Sequence, residues 1–156
     1  MKRAVFLSVI LLFAGCSTVQ KNVKKVKNFT KCYINKMPAP FWVCYQSDFM
    51  SVGKVYTKTP SRLIQEEAYS KAINDLIYKL QNKTKILLKK ANINNKDILE
   101  KVKNFVIINA IEGDSWFDKK NHILYVQASI DKDEFKNFLK QQLKIKNFEN
   151  LFYETF

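Results

Sequence analysis

The sequence predicts an α+β domain, a small antiparallel sheet of about three strands covered by helices in the order β-α-α-β-β-α. Three observations carry that prediction. Apolar residues recur at three- and four-residue steps from Ile64 to Leu80, which is helical spacing. Apolar and polar residues alternate from Leu124 to Ile130, which is strand spacing. A polar run, Asp118-Lys119-Lys120-Asn121, separates two stretches dense in β-branched and aromatic residues, which is hairpin punctuation.

Lys2 and Arg3 open the chain, and the uncharged run from Ala4 to Phe13 that follows is too short to anchor stably across a bilayer. With small residues at Ala14 and Gly15 this is the layout of a secretory signal, removed from the mature protein. Leu12-Phe13-Ala14-Gly15-Cys16 resembles a lipobox, with Phe13 standing where Leu is usual. That resemblance implies cleavage before Cys16, acylation of its sulfur by a palmitate-type chain, and attachment to a membrane through N-terminal lipid. By the same analogy Ser17 implies the outer membrane. The competing reading is an ordinary cleaved signal with a chance cysteine.

Removing residues 1–15 leaves 141 residues, enough for one hydrophobic core and too few for two. The formal charge of +13 falls to +11 with the loss of Lys2 and Arg3. Such a surplus prompts a search for nucleic acid, but export removes that partner and leaves anionic envelope surfaces. A composition rich in Lys, Asn and Ile and poor in Gly, Pro and Arg also fits AT-rich coding sequence, which accounts for much of the charge. Cys32 and Cys44 would meet an oxidising compartment after export. Their spacing permits a disulfide and equally permits a small buried Cys44 beside a loose Cys32 thiol.

From Ser17 to Met37 there are six lysines, no acidic residue and no sustained apolar period, so residues 16–39 are expected to form a Lys-rich tether. Lys21, Lys24, Lys25 and Lys27 would also allow it to lie on an anionic surface. Pro38 and Pro40 stiffen its end and start a domain expected over residues 40–145. Phe49 to Tyr56 reads as the first strand, with Gly53 marking a bulge or a close approach to another backbone. Thr59-Pro60 offers an N-cap and a first-turn proline for the Ile64–Leu80 helix. Ala68 and Ala72 are small members of its stripe, where the helix could sit close on a sheet. Glu67 with Lys71, and Asp75 with Lys79, have i,i+4 spacing on the wet face.

That helix is expected to run on to about Leu88, with a polar break at Asn92–Asn95 and a second helix near Lys96–Asn104. Phe105–Phe117 and His122–Ile130 then read as a hairpin, with Leu124, Val126, Ala128 and Ile130 on the core face. Asp131 and Glu134 have capping-box spacing before a last helix striped by Phe135, Phe138, Leu139 and Leu143. The aromatic tail over 146–156 either packs back on the domain or docks another subunit.

Catalytic chemistry has few candidates. His122, the one histidine, stands at the mouth of the hairpin turn with no second His to share a metal. Glu66 and Glu67 are adjacent on a helix and point apart. Asp114 and Asp118, four apart on a strand, could form a carboxylate pair or be polar residues near a strand end. A Cys32 or Cys44 nucleophile would need His122 as its base, and nothing in the sequence brings them together. Three glycines leave no phosphate-cradling loop. No enzyme, cofactor or metal is expected.

In order, Pro40 and Trp42, Ser51-Val52-Gly53, the helix residues Ala68, Ala72 and Leu76, then Ile111, Trp116, Tyr125, Val126 and Ile130-Asp131-Lys132 resemble the LPP-twenty type of bacterial lipoprotein. That family is typified by a twenty-kilodalton surface antigen and includes flagellum-associated outer-membrane lipoproteins. The resemblance covers roughly Pro40 to Leu143; Gln127 and Ser129 depart from it, where apolar or small residues are more usual. It implies a compact α+β domain without a catalytic site, and self-association around the flagellar motor. The expected function is a non-enzymatic outer-membrane scaffolding subunit in flagellar or envelope assembly. The alternative is a monomeric module binding an envelope ligand such as lipid or peptidoglycan.

Overall fold

The computed structural model describes residues 31–156; the signal over 1–15, the lipidation residue Cys16 and the tether through residue 30 lie outside the described residues. The elements run β1 (Tyr33–Ile34), β2 (Met37–Pro38), α1 (Phe41–Cys44), β3 (Met50–Tyr56), α2 (Arg62–Lys90), α3 (Asp97–Asn109), β4 (Ile111–Asp118), β5 (Ile123–Ser129), α4 (Lys132–Leu143) and α5 (Phe148–Tyr153). From β3 to α4 this is the α+β order read from the sequence. The small pieces on either side are additions.

The sheet has the order β3-β5-β4, all antiparallel, with β5 in the centre. Register places Gly53 opposite Val126, Val55 opposite Leu124 and Phe117 opposite Leu124, so these side chains share one face. Val52 opposite Gln127, and Lys54 and Trp116 opposite Tyr125, define the other. The first face receives α2. The ladder of β3 with β5 is unbroken through Gly53, so that glycine marks a close approach and not a bulge. A Cβ there would stand 1.7 Å from the Ala68 carbonyl oxygen and 2.7 Å from the Ala72 nitrogen. Helix and strand backbones meet because neither partner carries a side chain larger than a methyl group.

Ser61, in extended conformation, caps α2, and its Oγ accepts from the Ile64 N–H at 3.4 Å. Thr59-Pro60 therefore precede the cap; the Thr57 hydroxyl donates to the Thr59 carbonyl in the turn before it. The helix continues for 29 residues to Lys90, with Lys89 and Lys90 against the negative end of its dipole. Ala68, Ala72, Leu76, Leu80 and Leu87 are fully buried along it. Of the two expected surface pairs, Glu67–Lys71 forms at 2.7 Å. Asp75 and Lys79 instead turn to the start of β3: Asp75 accepts the Ser51 hydroxyl at 2.8 Å, and Lys79 donates to the Met50 carbonyl at 2.8 Å.

Two further expectations are corrected. Phe105–Asn109, read as the start of a strand, is the last part of α3, and β4 begins at Ile111. An apolar run is ambiguous between helix and strand until packing decides. Here Ile98, Val102 and Val106 continue one buried helical stripe, and Phe105 stacks on Phe138 at 4.4 Å. The tether ends before residue 39: from Cys32 the chain folds into the β1–β2 hairpin, turned by Asn35 and Lys36 at positive φ, and packs on the sheet. The tail beyond residue 146 packs back on the domain, the first of its two expected fates: it contains α5, whose Phe148 and Phe152 are buried in the main core, and Phe152 stacks on Phe156 at 4.6 Å. Lys83 and Lys90 of α2 donate to the Thr155 and Glu154 carbonyls at 2.8 and 2.7 Å, fastening that end. The last expected N-cap forms at Asp131, whose Oδ1 accepts from the Asp133 and Glu134 N–H groups, both at 2.8 Å.

Gly53→Ala is expected to lower unfolding stability by about 2–3 kcal/mol or more, since backbone on two elements must move apart. The atoms nearest to a Cβ at Gly113 belong to the flexible Gln127 side chain, from 2.9 Å at its amide oxygen to 3.2 Å at Cγ, and none of the three is backbone. Gly113→Ala should therefore cost less than about 1 kcal/mol. Urea unfolding of the two variants checks the contrast, and equal midpoints would remove the close-approach argument.

Candidate functional site

Residues 32–44 form a small lobe on the sheet face opposite α2. The Ala39 N–H donates to the Cys32 carbonyl at 3.0 Å, extending the hairpin by one bond. The Cys32 and Cys44 sulfurs are bonded at 2.08 Å, with Cα atoms 5.8 Å apart, and the bond closes the lobe across 12 positions of sequence. Cys32 and Val43 bury with Val52 and Tyr125, and Ile34, Ala39, Trp42, Trp116 and Ile123 pack around them. Tyr33, Phe41 and Tyr45 face outward, and the Phe41 and Tyr45 rings stack at 4.4 Å. Neither bonded cysteine is a thiol nucleophile in this state.

The structure keeps the carboxylate candidates apart. Asp118 is buried in the β4–β5 turn, where its Oδ1 accepts from the backbone N–H groups of Lys120 and Asn121, both at 3.0 Å, and its other oxygen from the Asn121 side chain. Burial raises its pKa, but these hydrogen bonds and the Lys120 charge together outweigh that effect and hold the carboxyl below its usual range. Asp114 is exposed within the register shift between Glu112 and Ser115, so the period of two that would align it with Asp118 does not carry through. Glu66 pairs with Arg62 at 2.9 Å and Glu67 with Lys71. His122 is exposed at φ 55, and its carbonyl accepts from the Thr57 N–H at 2.7 Å. Among the described residues no group of three His, Cys, Asp or Glu side chains could hold a metal ion.

Two polar arrangements were not read from the sequence. Lys79 spans three acceptors at the entry to β3, with Gln46 and the Ser47 carbonyl beside the Met50 carbonyl. Burial lowers its pKa against the opposing charges of Asp75 and Asp48. Beside it Lys83 pairs with Asp48 at 2.9 Å, and an open groove of about 300 Å³ runs past Tyr78, Asn82 and Ile86. Its two lysines are held by the β3 entry, Asp48 and the Thr155 carbonyl. In the second arrangement Lys136 lies 3.0 Å from the Tyr153 hydroxyl and 3.1 Å from Asp133. The Tyr153 contact first, then Asp133, raise its pKa, so it stays an ammonium that fastens α5 to α4. Ser51, a polar residue between Met50 and Val52 that is buried in the structure, was the one sequence signal for the first arrangement.

No helix among the described residues is long and apolar enough to cross a membrane. Compared with models of known protein families and with curated proteins, the chain matches none of them.

Replacing Cys32 and Cys44 together by Ala should lower stability by about 2–3 kcal/mol, the loop-closure effect of a ring this size. Thermal unfolding of the two proteins checks it, and an unchanged midpoint would show the lobe folded without its bond. Asp118 gives a pH test with a definite sign. A carboxyl held low in the folded state stabilises above its unfolded value, and the stabilisation is lost as pH falls through the folded value. The stability gap between the native protein and Asp118→Asn should thus be widest near neutrality and narrow on acidification below the ordinary carboxylate range. A gap that is constant across a pH series of urea titrations would contradict it.

Proposed function

We propose that the protein is a lipid-anchored, non-enzymatic subunit of the outer membrane with a structural or scaffolding role in envelope or flagellar assembly. The observation that carries the reading is the Cys32–Cys44 bond, a cross-link that persists in oxidising compartments and so fits export by residues 1–15. Cys16 stands 15 residues before Lys31 and is the point of attachment in this reading. Most of the side chains weighed for catalysis are engaged elsewhere, the cysteines with each other, Asp118 with its own turn, and Glu66 and Glu67 with their helix neighbours, while Asp114 and His122 are exposed and apart from them.

A subunit needs a surface for further copies. β4 is a sheet edge whose first five residues are exposed, Ile111 at 63%, and Ile107 and Ile108 at the end of α3 just before it are 52 and 78% exposed. An open edge with apolar neighbours supports association. The ordered motifs that resemble flagellum-associated lipoproteins support the same role.

Cys16→Ala should shift the protein from the membrane pellet to the soluble fraction and abolish palmitate labelling. Retention in the membrane would count heavily against the anchor. The detergent-solubilised protein should sediment as higher oligomers, whereas a strict monomer would favour a ligand-binding module.

A further inference from the structure

The lobe after Lys31 presents aromatic rings outward and carries positive charge with no acidic counterpart. Tyr33, Phe41 and Tyr45 are 52, 43 and 40% exposed, while Cys32 and Val43 of the same lobe pack inward. Between residues 17 and 47 the sequence holds six lysines and no acidic residue, Asp48 being the first. Lys31 immediately precedes the lobe and Lys36 lies in its hairpin turn, and both are exposed. Ile123 joins the lobe's apolar cluster, so the β4–β5 turn with exposed Lys119 and Lys120 adjoins it. The carboxylate of that turn, Asp118, is buried and engaged by the turn's own N–H groups.

We propose that this end of the domain rests on an anionic phospholipid bilayer, with the Tyr33, Phe41 and Tyr45 rings at headgroup level and Lys31, Lys36, Lys119 and Lys120 against the phosphates. The inference rests on the lipid-anchor reading above and names a second contact with the same membrane. Rings with an apolar body suit the interface between headgroup and acyl chain, and each lysine held near an anionic surface strengthens binding severalfold. Fifteen residues separate Cys16 from Lys31, so a lipid on Cys16 would keep the lobe within about 50 Å of the anchor. The chain enters the described domain through this lobe, so the surface nearest the tether is the one whose chemistry matches the membrane. The acidic side chains of β4, Glu112 and Asp114, lie toward the opposite end of that strand from the turn.

The experiment offers vesicles of phosphatidylglycerol with phosphatidylethanolamine, and vesicles of phosphatidylcholine alone, to the full mature chain carrying Cys16→Ser. Without lipid on the chain, the result does not depend on whether Cys16 is acylated in cells, so failure here is distinct from failure of the anchor. Both tryptophans, Trp42 and Trp116, belong to the lobe cluster, and their quenching by brominated lipid reports the lobe and not the preceding lysines. The expected result is binding to the anionic vesicles only, with quenched tryptophan emission. Phe41→Ser with Tyr45→Ser should bind roughly ten-fold more weakly, as should Tyr33→Ser with Lys36→Gln, which keeps the test open if the first pair unfolds the lobe. Tyr78→Ser with Ile86→Ser, on the outward side of α2, should bind as the parent does. Equal binding by all variants, or bound protein with unquenched tryptophan, would overturn the proposal. Binding to both vesicle types alike would also overturn it.

Discussion

The structure depends on one close approach, where β3 meets α2 with Gly53 against the backbone of Ala68 and Ala72. Interiors are packed to near-crystalline density, so a helix seated this near a strand fixes the neighbours on both sides of the contact. Val55, Leu124 and Val126 close around Ala68 at one end, and Leu76 and Leu80 carry the helix over the larger core at the other. That larger core is built of rings: Phe49, Phe135 and Phe156 lie with their centroids within 6.0 Å of one another. A helix of 29 residues is longer than its sheet, and its second half is buried by α3 and α5.

The opposite face of the sheet is covered more thinly. There the lobe supplies Cys32, Val43 and a few partly buried neighbours, so Val52 and Tyr125 are buried by a segment with almost no regular structure of its own. Two-residue strands and a four-residue helix lose too much chain entropy to persist without further help. The Cys32–Cys44 bond supplies it by limiting the unfolded ensemble. A module stabilised in this way suits an oxidising compartment, and this links the folding of the lobe to the proposed site of action.

Lysine has different roles across the molecule. Lys79, Lys83 and Lys90 place their ammonium groups on backbone carbonyls and fasten the β3 entry and the chain end to α2. Lys136 does the same for α5 through Tyr153. A net charge read as one surplus therefore divides into cations that hold the fold and cations left at the surface. Lys31, Lys36, Lys119 and Lys120 belong to the exposed group, at the end of the domain where the chain enters.

The α+β class, the order of the six main elements and the seating of a helix near Ala68 were legible because they rest on periodicity and residue size, which are local properties. The Asp131 cap was legible for the same reason. The sequence also restricted catalytic candidates to a handful of named side chains, but their partners were not readable: that Asp118 closes its own turn and that Asp75 receives Ser51 depend on which atoms the fold brings within 3 Å. Phe105–Asn109 has the composition of a strand, and only burial of Val102 and Val106 beneath it made it helix. Cys32 and Cys44 had a permissible spacing, while the approach of their Cα atoms to 5.8 Å came from packing of the lobe on Tyr125 and Val52. Sequence alone thus determined what repeats along the chain. The tertiary structure decided what meets across it, because such contacts join residues whose separation in sequence carries no signal of their distance in space.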